Sequence, residues 1–272
     1  MRRLPRPALR PFIQSLWALD ETAEPGAPCS RREHVVPTGS MHLVFRLSDD
    51  PLRLYADDAD EDGELLTTTV VGGARSRFYV REVSRPLHSV GAQLRPGSAL
   101  LLFGAPANEL AERHTALEDL WGSRAAAVRD RLGEAVSLAE RLDAFEEVLA
   151  RRLPLVRGLH PAVAQGLQQL VTGTSVHDVV KRSGYSHRHF VELFVDAVGL
   201  TPKAYSRVQR FRRALECVST PDGTSWTDIA ADAGYSDQSH FNREFRDCVG
   251  VTPTEYRKLA PRFRHHVPVG SD

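Results

Sequence analysis

The chain has 272 residues, 35 Lys and Arg against 35 Asp and Glu, and 42% hydrophobic residues, a balance that points to a soluble globular protein long enough for two domains. No run of about 18 apolar residues occurs, and no signal-peptide core follows the basic opening Met1-Arg2-Arg3-Leu4-Pro5-Arg6-Pro7, so no membrane span or export is expected. Cys29, Cys217 and Cys248 are odd in number and scattered, as for reduced thiols in a cytoplasm.

Residues 1 to about 120 read mostly as strands and turns. Met41 to Leu47, Leu66 to Val71, Arg77 to Val83 and Leu87 to Leu94 are rich in β-branched and aromatic residues, and Pro, Gly and Asp clusters punctuate them. The acidic run Asp57 to Glu64 reads as a loop. Helical patterns follow over Gly97 to Phe103, Leu117 to Leu132 and Leu138 to Leu153, and Pro154 with Gly158-Leu159-His160-Pro161 marks a linker.

The C-terminal part contains one segment written twice. Ser175-x-x-Asp178, Val179-Val180 and Gly184-Tyr185-Ser186 recur 50 residues later as Ser225-x-x-Asp228, Ile229-Ala230 and Gly234-Tyr235-Ser236. From Phe190, Phe194, Gly199 and Thr201-Pro202 to Phe241, Phe245, Gly250 and Thr252-Pro253 the offset is 51, so the second copy gains one residue after the turn. In each copy a Ser with Asp at the third helical position predicts a capping box, Gly184 or Gly234 a left-handed helix end, and Ser186 or Ser236 the cap of a second helix. Phe190, Leu193, Phe194, Ala197 and Val198, and Phe241, Phe245, Cys248 and Val249, give the second helices one apolar face and leave the other free. Tyr185 and Tyr235 are both expected to pack inward.

Those residues resemble the DNA-binding domain of the AraC/XylS family of bacterial transcription regulators, and Gly234 through Phe245, Gly250-Val251-Thr252-Pro253 and Tyr256 follow its signature almost unbroken. The resemblance implies two helix-turn-helix units joined by a long helix, here about Pro202 to Val218. It places the base-reading positions on His187, Arg188, Val191 and Glu192 in the first unit and on Gln238, Ser239, Asn242 and Arg243 in the second. Arg donates twice to guanine, and Asn or Gln pairs with adenine, whereas Val191 and Glu192 depart from the family's basic or amide residues. Lys181, Arg182 and Arg246 are the candidate phosphate contacts, and Arg207, Arg210, Arg212 and Arg213 add positive charge along the joining helix. From residue 160 onward 14 Lys and Arg face 12 Asp and Glu, a low excess for a phosphate-binding domain. Val90 to Gly97 is similar to the Arg-Pro-Gly strand end of one subgroup of these regulators.

The expected fold is therefore α+β: a β-rich sensor-like domain with trailing helices over 1–156, an all-α domain of two helix-turn-helix units over 157–260, and a flexible tail over 261–272. The expected function is sequence-specific binding of double-stranded DNA, modulated by the N-terminal domain. RNA polymerase, a small-molecule effector and a second copy of the chain are the further candidate partners. The alternative is a protein-interaction module whose helix-turn-helix pair no longer reads DNA. No phosphate loop, nucleophile elbow or metal-hydrolase motif is present, so no enzyme and no cofactor are expected. His34, His42 and His88 lack a Cys or carboxylate at ligand spacing, so no metal is expected. Trp17, His34, Arg46, Phe78, Tyr79, His88, Gln93 and Arg95 could line a pocket, yet each reads more readily as core or surface, and no ligand pocket is assigned.

Overall fold

A computed structural model describes residues 1–21, 30–84, 87–153, 158–218 and 225–269. Cys29 and Pro154 lie outside the described residues. The N-terminal part begins with β1 (Arg2–Arg3), β2 (Ile13–Glu21), β3 (Ser30–Val35), β4 (His42–Arg46), β5 (Arg53–Tyr55) and β6 (Glu64–Leu65), and continues with β7 (Thr69–Gly72), β8 (Tyr79–Ser84) and β9 (Leu87–Leu94). Helices α1 (Ser98–Phe103) and α2 (Ala107–Leu110), strand β10 (His114–Ala116), and helices α3 (Leu117–Trp121), α4 (Arg124–Gly133) and α5 (Leu138–Arg152) complete it. The helix expected over Leu117 to Leu132 is thus two, because Gly122 takes a positive φ of 60° and breaks it.

Two antiparallel sheets result. The larger runs β1-β2-β9-β4-β7-β10, and its strands alternate in the way a half-covered sheet demands. Leu43 and Phe45 of β4, Val90 and Ala92 of β9, and Leu16 and Ala18 of β2 are fully buried against the helices, with Phe145 of α5 edge-on to Phe45 at 5.6 Å. The intervening residues Trp17, His42, Val44 and Gln93 look toward the second sheet and are only half-buried.

The helical part comprises α6 (Pro161–Val171), α7 (Val176–Ser183), α8 (His187–Val198), α9 (Pro202–Val218), α10 (Trp226–Ala233), α11 (Gln238–Val249) and α12 (Pro253–Leu259). The α7–α8 and α10–α11 pairs are the two predicted units, and α9 is the joining helix. Two cores hold these parts, and neither respects the expected division near residue 157. The first is continuous from Leu43 and Leu94 of the sheet through Phe103 and Leu142 to Phe190, Phe194 and Tyr205. The second gathers Phe211, Phe241, Phe245 and Tyr256 with Val36 and Val267.

Val267 belongs to β11 (His266–Pro268), which pairs antiparallel with β3 and makes the second sheet β11-β3-β8-β5-β6. The expectation of a flexible tail over 261–272 is corrected here for the described residues. Val267 is fully buried, the Val36 amide donates to the His265 carbonyl at 2.9 Å, and the Val269 amide donates to the Arg32 carbonyl at 3.0 Å. An apolar residue flanked by ladder bonds is held, and a segment of three residues supplies too little local pattern to announce a strand.

Candidate nucleic-acid interface

The two units are built by capping. Ser175 and Ser225 accept from the amides of Asp178 and Asp228, each at 3.1 Å, and start α7 and α10. The Asp carboxylates accept from the Ser hydroxyls at 2.7 Å instead of reaching back to the cap amide. The full reciprocal box forms at Thr252 and Glu255, which start α12. Gly184 and Gly234 end the first helices at φ 76° and 88°. Ser186 then caps α8 by accepting from the His189 amide at 3.3 Å. In the second unit Ser236 is not the cap: Asp237 accepts from the His240 amide at 2.7 Å, and Ser236 donates to Asp237. The cap has moved one residue along, which is where the second copy takes up its extra residue.

Tyr235 is buried as expected, at 6% exposure, but Tyr185 is exposed, at 38%. The reason lies on the following helix. The Tyr235 hydroxyl donates to buried Glu244 Oε1 at 2.8 Å, and Arg210 of α9 grips the same carboxylate at 2.6 Å while lying 4.6 Å from the Tyr235 ring centre. Burial, with Glu244 beside it, raises the Tyr235 hydroxyl well above its ordinary titration range, so it remains a donor. The residue corresponding to Glu244 in the first unit is Leu193, which accepts nothing, and the Tyr185 hydroxyl instead meets His160 Nε2 at 3.4 Å.

On the first leading face His187, Arg188 and Glu192 are exposed and Val191 is half-buried. Arg188 Nε donates to Glu192 at 2.9 Å, an i,i+4 pair on an almost fully exposed guanidinium. On the second, Ser239, Asn242 and Arg243 are exposed, and half-buried Gln238 accepts from Thr227 at 3.2 Å. Lys181, Arg182 and Arg246 are exposed beside these faces.

Three of the four arginines of the joining helix already have partners within the chain. Arg207 donates to the Ser76 carbonyl at 2.7 Å, Arg210 holds Glu244, and Arg212 donates to Gln209 at 3.1 Å. Arg257 of α12 stacks 3.8 Å from the Trp226 ring centre.

Sequence patterns gave no sign of how the N-terminal domain grips the recognition helices. It holds both by their C-terminal ends. The Gly97 amide, from the Arg-Pro-Gly strand end, donates to the Ala197 carbonyl at 2.8 Å, and a Cβ on Gly199 would lie 2.9 Å from the Ala107 carbonyl oxygen. At the end of α11, His34 Nδ1 donates to the Val249 carbonyl at 2.8 Å, its Nε2 faces Asp58 at 2.6 Å, and its ring lies 4.4 Å from Phe78. An imidazole beside last-turn carbonyls suits the negative end of a helix. Gly39 approaches Gln209 and Val208 in the middle of α9. The leading ends of α8 and α11 stay uncovered.

The residues weighed as a pocket lining part company. Trp17, Arg46, Tyr79 and Gln93 lie between the two sheets, His34 and Phe78 meet α11, His88 pairs with Asp20, and Arg95 donates to the Arg10 carbonyl at 2.7 Å. His34, His42 and His88 do not converge, and among the described residues no group of three or more His, Cys, Asp or Glu could hold a metal ion.

Two families match the chain. One described as a helix-turn-helix domain matches residues 179–259, and a domain of unknown function, DUF6597, matches residues 1–116. The "Probable transcription factor PqrA" of Proteus vulgaris is 33% identical over 86 residues, 32% of this chain and 70% of the relative. The invasion protein InvF of Salmonella typhimurium is 33% identical over 95 residues, 35% of this chain and 42% of the relative, so the match spans less than half of InvF. Among solved structures, ToxT of Vibrio cholerae is similar over 89% of this chain and 96% of that one, with 12% identity and a TM-score of 0.46.

Proposed function

The chain belongs to the AraC/XylS family of transcription regulators, and from that premise we propose that it regulates transcription by reading double-stranded DNA with α8 and α11. The carrying observation is that both second helices are capped, anchored at their C-terminal ends and left open along their leading faces. A helix about 10–12 Å across enters a major groove, and two held by one connector reach successive grooves about 34 Å apart. In this reading His187, Arg188, Val191 and Glu192 face one groove and Gln238, Ser239, Asn242 and Arg243 the next, while Lys181, Arg182 and Arg246 hold phosphates. The functional division follows the helices: 157–260 binds DNA and 1–156 governs it, although the two share a core.

Further partners in this reading are RNA polymerase, a second copy of the chain and a small-molecule effector at the N-terminal domain. No catalytic step is assigned. The site of action is the cytoplasm; among the described residues no helix is long and apolar enough to cross a membrane.

Selection of the full chain on randomised duplexes, followed by mobility shifts in a salt series, tests the proposal. The expected outcome is a site with two conserved segments about 10 base pairs apart and an affinity that falls steeply with salt. Equal binding to selected and scrambled duplexes would refute base reading and leave the protein-interaction alternative.

A further inference from the structure

The second helices of the two repeats end in equivalent glycines, Gly199 and Gly250, and both glycines are docked on the N-terminal domain. A Cβ on Gly199 would press on the Ala107 carbonyl oxygen of α2, and one on Gly250 would overlap the His34 ring of β3 and lie 3.0 Å from Phe78. Both residues also have left-handed backbones, at φ 85° and 86°, so conformation and space alike close these positions to a side chain. The two docking places are distinct. α2 leads into the larger sheet through β10, whereas β3 belongs to the second sheet.

The two units are not held in the same way. Phe190 and Phe194 of the first unit lie in the continuous core that also contains Leu43 and Leu94, so α8 is packed into the N-terminal domain. The second unit has a core of its own, built on Phe211, Phe241, Phe245 and Tyr256, and β3 and β11 supply Val36 and Val267 to it.

Strand β3 therefore meets the second unit twice, through His34 at the Val249 carbonyl and through Val36 in the core. β11 opposes the same stretch, with His266 against Val35 and Val267 against His34. Burial would raise the Glu33 carboxyl, but Arg81 of β8 and His266 of β11 bring it down to about 2, and this carboxylate accepts from them at 2.7 and 2.8 Å. At its other end the strand is tied to α12, whose Tyr256 hydroxyl donates to the Arg264 carbonyl at 2.9 Å. The C-terminal segment is thus a strap from the second unit to the second sheet.

Moving half of a DNA site by one base pair shifts it about 3.4 Å along the duplex and about a tenth of a turn around it. A protein follows that change only if one reading helix can turn relative to the other. Docking at Gly199 and at Gly250 opposes such a turn, and β11 holds the second docking place together.

We propose that the N-terminal domain is a ruler for the DNA site, setting the separation and phase at which α8 and α11 enter the duplex. His34, Val36 and Val267 are its positioning residues and act through α11 instead of on a base. The proposal rests on the reading of DNA by both helices and adds that the spacing between the two groove segments is dictated from outside the helix-turn-helix pair.

The test uses the full chain, the selected duplex, and duplexes with one base pair inserted or removed between the two segments. Wild-type affinity should fall about tenfold or more on the altered duplexes. Val267→Asp, which expels β11 from its buried place, should bring the affinities for selected and altered duplexes closer together, and Val267→Ile should keep them apart. His34→Ala frees the end of α11 without entering the second core, and it should act in the same direction even where Val267→Asp fails to fold. In the wild-type chain, hydrogen exchange at the Val36 amide, which donates to the His265 carbonyl, should stay slow when DNA is bound. Equal wild-type binding to all spacings, unchanged spacing preference in both His34→Ala and a folded Val267→Asp, or a Val36 amide that opens on DNA overturns the ruler and leaves DNA reading standing. A wild-type chain that selects no duplex overturns both.

Discussion

The two helix-turn-helix units share a backbone plan and differ in what lies under and upon their second helices. The second unit has a polar centre, Arg210–Glu244–Tyr235, beneath a proposed reading face on which Asn242 and Arg243 are exposed and take no side-chain partner among the described residues. The first has Leu193 in place of the carboxylate, an outward Tyr185, and a proposed reading face on which Arg188 is tied to Glu192. One repeat has thus been specialised twice: the copy with the more committed interior has the freer surface.

The largest effect should come from the interior. Glu244→Leu, which gives the second unit the residue of the first, strands the Tyr235 hydroxyl and half-buried Arg210 and should cost about 2–4 kcal/mol. Leu193→Ala at the equivalent position should cost about 1–2 kcal/mol, because that side chain is only half-buried. Urea unfolding of the full chain compares them, and equal losses would mean that the polar centre contributes no more than packing.

Next comes the reading face. Arg243→Ala should weaken the selected site by about 1–3 kcal/mol and relax base preference at one position. Arg188→Ala should do less, since that guanidinium must first leave Glu192, and Glu192→Ala should tighten binding by freeing it and removing a negative charge. Mobility shifts on selected and scrambled duplexes read all three; an Arg188→Ala loss exceeding that of Arg243→Ala reverses the comparison. Smaller again is Arg246→Ala, which should weaken all duplexes alike and lower the salt slope by about one. A sequence-dependent loss would move Arg246 into the groove.

The smallest difference concerns the caps. Hydrogen bonds from the His240 amide and Ser236 lower the Asp237 carboxyl below its usual range. Its folded value is depressed, so its contribution is present above the unfolded value near 3.8 and is lost as pH falls through the folded one. Ser186 does not titrate. An acid titration followed by the backbone amides should therefore move His240 and leave His189 still, and parallel movement of both would remove the distinction.

What was legible in the chain was local. The repeat, its glycines, Ser175, Ser186 and Ser225 as caps, and the apolar stripes through Phe190 and Phe241 all act within a few residues, and the structure has them where the pattern puts them. The errors arose where a distant or alternative partner decided. Asp237 outcompeted Ser236 because a carboxylate is the stronger acceptor, and Tyr185 turned outward because Leu193 offers no oxygen. Arg207 and Arg210 were spent on Ser76 and Glu244, partners 131 and 34 residues away that no helical period signals. Tyr79 stood among the pocket candidates, but its grouping with His42, His114 and Arg75 needed two sheets to be stacked first. Base reading and phosphate holding by the named residues stay proposals.

Strand β11 also sets an order of biosynthesis. His266 meets Glu33 across 233 residues, so the edge of the second sheet at β3 is made long before the strand that covers it. At about 5–20 residues per second a ribosome leaves that edge open for roughly ten to fifty seconds, with its amides and carbonyls available to any neighbouring strand. The nascent N-terminal half therefore cannot close its own sheet, and the wall that carries Arg81 is finished only when the helices destined for DNA have already been made.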